Sequence, residues 1–171
     1  RNTAPAQRAE TLAALGFAGS DLTGNKAAAE TLRDYDAKGV RLFATYNWLQ
    51  VDPNWQPDDG IKQAVEALKG RQGFIWVAMG NKKYKPSDPA GDDEALPMLR
   101  RLADLAAPGG VRVAIYPHTD AWVERVEDTI RLARKCQRAN VGGTFNLCHF
   151  LQVDGETSKL PALLKESMDK L

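Results

Sequence analysis

The sequence predicts an α/β protein built as an incomplete (β/α)8 barrel, with about five parallel strands and six helices. Three observations carry this. Apolar runs of strand length alternate strictly with amphipathic helical stretches, which calls for a parallel sheet with helices outside. The loops from strand to helix are long while those from helix to strand are short, as in a barrel whose strand ends build a site. No Gly-rich phosphate loop follows the first strand, as it would in a doubly wound nucleotide-binding sheet.

The elements follow in order. A helix is expected over Pro5 to Leu15, with Thr3 as N-cap, Pro5 in the first turn and Gly16 past the end. Phe17 to Leu22 reads as a strand. Lys26 to Lys38 is a helix carrying Ala28, Leu32 and Tyr35 on one face and stopped by Gly39. The apolar run Val40 to Tyr46 suits a strand covered on both sides. Asp58 and Asp59 cap a helix over Ile61 to Lys69, whose stripe is Ile61, Val65 and Leu68. Phe74 to Met79 is the next strand. Asp93 to Ala107 is a helix with Leu96, Leu99, Leu102 and Ala106 inward, and Pro97 is tolerated in its first turn. Val111 to Tyr116 is a strand, Val123 to Arg138 a helix, and Val141 to Asn146 the last strand. A helix over Lys159 to Leu171 ends the chain.

A full barrel needs about 250 residues and eight units. The expectation is therefore one domain over residues 1–171 that lacks the first strand and the last two βα units, with unpaired sheet edges. The start at Arg1 and Asn2 carries neither Met nor a signal-peptide core, so the compartment stays unassigned: soluble, and either cytoplasmic or exported. No apolar run approaches the roughly 18 residues of a membrane span. A net charge of +1 with scattered basic residues argues against nucleic acid as the main partner. Cys136 and Cys148 form no CxxC and read as small core residues.

Chemistry in a barrel sits just beyond the C-terminal ends of the strands. The chain has only two histidines, His118 and His149, and both fall there. Imidazoles at such positions can act as general base and acid near neutral pH, or as metal ligands. Asn47, Trp48, Asn81, Lys82, Tyr116, Trp122 and Asn146 share the rim. Aromatic faces, amides and imidazoles together suit a sugar or polyol pocket.

The stretch from Val111 to Glu156, with Tyr116-Pro117-His118 and Asn146-Leu147-Cys148-His149, resembles the central part of the xylose-isomerase-like TIM-barrel superfamily. The segment LAALGFAGSDLT is similar to the opening helix and second strand of that group. The resemblance implies a sugar isomerase or epimerase that removes a proton beside a carbonyl, with His118, His149 and Asn146 catalytic. By their place on the rim, Tyr116, Asn47, Trp48, Asn81, Lys82 and Trp122 are expected around the substrate. Other implied activities are elimination from a keto-sugar, sugar binding by a metal-free or non-catalytic descendant, and apurinic-site cleavage. The superfamily's divalent metal (Mn, Mg or Zn) is held by a Glu and an Asp whose places are taken here by Tyr116 and Asn146, so no metal ligand is assigned. The implied partner is a small sugar or sugar derivative, and an oligomer is compatible with the pattern.

Overall fold

The computed structural model describes residues 3–170. Five parallel strands form one sheet in chain order: β1 (Gly19–Thr23), β2 (Arg41–Gln50), β3 (Phe74–Gly80), β4 (Arg112–Tyr116) and β5 (Val141–Gly143). The helices are α1 (Pro5–Ala14), α2 (Ala28–Asp36), α3 (Asp59–Leu68), α4 (Asp92–Ala106), α5 (Val126–Cys136), α6 (Leu147–Asp154) and α7 (Leu160–Ser167), with 3-10 turns at Pro89–Gly91 and Ala107–Gly109. Parallel neighbours consecutive in the chain, each joined to the next through helix, give the topology of a (β/α) barrel, here an open, incomplete one.

Strand parity explains which side chains go where, since neighbours along a strand point to opposite faces. Ile75, Val77 and Met79 of β3 and Val113 and Ile115 of β4 are buried in the main core, where α3 and α4 cover them. Those helices present the expected stripes, Ile61, Val65 and Leu68 from α3 and Leu96, Leu99, Leu102 and Ala106 from α4. The opposite parity turns Tyr46, Trp48, Phe74, Trp76 and Tyr116 toward the concave side, where their rings meet. Between Ser20 and Asp21 the β1–β2 register slips, leaving a bulge at Phe43.

Several expectations are corrected. There are seven α-helices among the described residues, not six. Residues 144–154 hold the extra one: β5 ends at Gly143, and α6 starts after Asn146, whose side chain accepts a hydrogen bond from the His149 amide at 3.1 Å. Strand β2 runs on to Gln50 because Asn47 to Gln50 stay in register with Val77 to Gly80, so Asn47 and Trp48 lie within the strand rather than after it. Helix α1 is preceded by Ala4 with no side-chain cap; the Thr3 carbonyl instead accepts from Arg8 at 3.2 Å. Helix α5 starts at Val126, where the Asp128 carboxylate accepts from the Arg125 amide. Cys136 is buried as expected, but Cys148 is exposed in the first turn of α6. The last helix stops at Ser167, and Leu171 lies outside the described residues.

Candidate functional site

The two histidines come from different elements and meet at the strand ends. His118 follows β4, and a tight turn holds it: its amide donates to the Val123 carbonyl at 3.1 Å, and its carbonyl accepts from Ala121 at 3.0 Å. That turn is pinned to β3 by the bond from Val123 N–H to the Met79 carbonyl. His149 stands in the first turn of α6, an orientation fixed by the Asn146 cap. The imidazole centroids lie 4.2 Å apart with their planes inclined by 38°. Tyr116 sits edge-on to His149 at 5.8 Å, and Trp48 edge-on to His118 at 5.2 Å.

Asn146 also donates to the Tyr116 hydroxyl. Having accepted that bond, the phenol keeps its own proton free for a ligand oxygen. Tyr46 packs against Tyr116 at 5.4 Å. Burial, then the neighbouring Tyr116, pushes the Tyr46 phenol above its ordinary value, so it stays protonated. The result is a patch of O–H donors and aromatic faces beside two imidazoles.

The remaining predicted residues divide. Trp48 is 46% exposed and joins the histidines to a hollow of about 160 Å³ lined also by Asn81, Lys82 and Tyr84. That volume is below the roughly 300–1,000 Å³ of a ligand pocket, so the hollow alone is too small to hold a sugar. Asn81 accepts from the Lys83 amide at 2.9 Å, and Lys82 is exposed. Asn47 is only 6% exposed and is paired with Val77 in register, on the face away from the histidines. Its amide bonds Thr45 and Asn25, so it secures the β1–α2 loop instead of joining the cluster.

Trp122 is 2% exposed, its indole N–H donating to the Asp88 carbonyl at 2.9 Å. It packs on Gly91, where an added Cβ would come within 2.7 Å of the indole ring. Gly91→Ala is expected to destabilise the protein by about 1–3 kcal/mol through overpacking, measured by urea unfolding.

Tyr46, Trp76, Thr119 and Gln152 are site residues that sequence reasoning missed. Tyr46 and Trp76 could have been found by strand parity with Trp48 and Tyr116. Thr119 and Gln152 gather at His149 Nδ1, at 3.0 Å and 3.2 Å.

Burial, with His118 adding to it, holds the His149 imidazole below its ordinary value. The folded protein therefore binds a proton there less readily than the unfolded chain. Stability is expected to be level above about pH 6.5 and to fall as pH drops through and below it, toward the folded value. Urea midpoints between about pH 5 and 8 check this, and His149→Gln should flatten that part of the curve.

The donor set does not fit a hard divalent cation. Such an ion wants oxyanion ligands, whereas a phenol and an amide stand here, bonded to each other. No group of three or more His, Cys, Asp or Glu among the described residues is placed to hold one. No described helix is long and apolar enough to cross a membrane.

Parallel βα units in chain order place the chain among the (β/α) barrels. The fold is that of the xylose-isomerase-like TIM barrels. A 3-keto-D-glucoside 4-epimerase from E. coli superposes with a TM-score of 0.76 at 17% identity, over 99% of this chain and 74% of its own. A probable 3-DHS dehydratase from Bacillus anthracis gives 0.75 at 13%, over 100% of this chain and 66% of its own. A xylose isomerase-like TIM barrel protein from Mycobacterium smegmatis, in complex with magnesium, gives 0.68 at 13%, over 95% and 62%. The chain thus spans between about three fifths and three quarters of the length of these structures. No protein-family model matches the chain, and no curated protein matches it either.

Proposed function

We propose that the protein is a carbohydrate-directed enzyme of the isomerase or epimerase kind that begins by taking a proton from the carbon beside a carbonyl. The observation that carries this reading is the imidazole pair, 4.2 Å apart at the barrel rim and flanked by phenol and indole rings. One imidazole accepts the C–H proton. The other, with the free Tyr116 O–H, hydrogen-bonds the carbonyl oxygen as it gains charge. Trp48 and Tyr46 cover the C–H face of the sugar, and Asn146 orients Tyr116. Elimination from a keto-sugar would begin with the same step.

A second reading is a sugar-binding protein without turnover, favoured by the phenol and amide at Tyr116 and Asn146. Apurinic-site cleavage has less support, because it calls for carboxylate-held metals and basic loops.

The test is incubation of the full chain with a panel of ketoses and keto-glycosides in D2O, with and without chelator. Deuterium at the carbon beside the carbonyl, persisting with chelator, is the expected result. Exchange abolished by chelator and restored by Mn²⁺ would contradict proton transfer by the imidazoles alone. Saturable sugar binding without exchange would favour the second reading.

A further inference from the structure

We infer that Thr119 sets the two histidines in opposite neutral tautomers, leaving His118 with a bare Nε2 and His149 with an Nε2–H. The assignment rests on the reading of the imidazole pair as the proton-transfer centre, and it follows from which partners can only accept and which can only donate. The Thr119 carbonyl lies 2.6 Å from His118 Nδ1. A carbonyl oxygen has no proton, so Nδ1 must carry one, and in the neutral ring Nε2 is then a free lone pair. The Thr119 amide, on the other side of the same residue, donates to His149 Nδ1 at 3.4 Å. An amide can only donate, so that nitrogen is bare and the proton of the neutral ring sits on Nε2.

The side chain reinforces the second assignment. The Thr119 hydroxyl, 3.0 Å from His149 Nδ1, gives its one proton to that nitrogen and so keeps it bare of its own. Gln152 Oε1 competes for that proton from 2.9 Å and, 3.2 Å from Nδ1 and able only to accept, would by itself favour the opposite tautomer. Burial and the neighbouring His118 favour a neutral His149, so this ring offers a hydrogen bond without a charge.

The consequence is a division of labour. His118 Nε2 takes the proton from carbon, and His149 Nε2–H binds the carbonyl oxygen, a role suited to a neutral imidazole. Thr119 touches neither reacting atom and acts as a positioning residue.

Because the chain has only two histidines, ¹⁵N imidazole spectra of the full chain resolve the matter directly, with His118→Gln and His149→Gln assigning the signals. At pH 8 one ring, His118, should carry its proton on Nδ1 and the other, His149, on Nε2. Thr119→Val removes that donor, leaves Gln152 Oε1 as the side-chain partner of Nδ1, and should move the His149 proton to Nδ1 while His118 stays unchanged. Thr119→Ser should keep the wild-type pattern. In deuterium exchange, Thr119→Val should lose about tenfold or more in kcat with little change in KM, and Thr119→Ser should retain the rate. Both rings in one tautomer, or a His149 signal unmoved by Thr119→Val, would overturn the assignment. The spectra need no substrate: the expected tautomers without any exchange would sink the proposed reaction and leave the tautomer assignment standing.

Discussion

His118→Ala is expected to lower kcat for exchange of the proton beside the carbonyl by about 10²–10⁴, the usual contribution of a positioned general base. The KM should move little, because the proposed contacts to the sugar are those of Tyr46, Trp48 and Tyr116. The variant should fold, since His118 is only half-buried and the turn around it is held by backbone bonds from Ala121 and to Val123. Added imidazole should restore part of the rate by entering the space that the ring leaves. Deuterium uptake measured at saturating substrate reads all of this. An unchanged rate would place the base elsewhere and remove the main support for the proposed reaction.

Asp128→Ala is expected to cost about 3–5 kcal/mol of stability, the range for breaking a buried ion pair on one side. Asp128 is 2% exposed and accepts four hydrogen bonds: Ser87 Oγ at 2.6 Å, the Glu124 amide at 3.1 Å, the Arg125 amide at 2.9 Å and Arg131 at 2.6 Å. Removing it strands three polar donors and half of an ion-pair network, since Arg131 also binds Asp92, itself 1% exposed. Asp128→Asn keeps the shape and one carbonyl oxygen for the Ser87, Glu124 and Arg125 donors but drops the charge and the acceptor that Arg131 uses, so its loss should be smaller. Urea unfolding measures both. The two loops that meet at this carboxylate follow β3 and β4, and the second of them carries His118. Hydrogen exchange over residues 118–125 should therefore accelerate in the Ala variant even below the unfolding transition.

Much of the fold was legible because alternation and helical stripes are local signals. Ile61, Val65 and Leu68, spaced along one helical face, pointed inward as expected, and Asp58 caps that helix through the Ile61 amide at 2.8 Å. Helix α6 was not foreseen. Its apolar residues Leu147, Phe150 and Leu151 look like the tail of a strand, and only Phe150 is buried. The signals that could have revealed it were the cap at Asn146 and Gly155, whose φ of 76° lets it close the helix in the left-handed region. The length of β2 was hidden as well, because pairing beyond Tyr46 depends on β3 and not on the sequence of β2 alone.

The site was half legible. His118, His149, Tyr116 and Asn146 come together as the motif suggested, whereas Asn47 turns to the other face through strand parity. Trp122 became a packing residue because the β3–α4 loop folds over it, a long-range event with no local signature.

The exposed edge of Trp48 makes the cleft optically readable. Of the four tryptophans, Trp76 and Trp55 are half-covered and Trp122 is enclosed, leaving one indole that looks into solvent beside an imidazole. Anything that settles across the concave face displaces water from that ring, so emission colour and quencher access record occupancy without a label and without turnover.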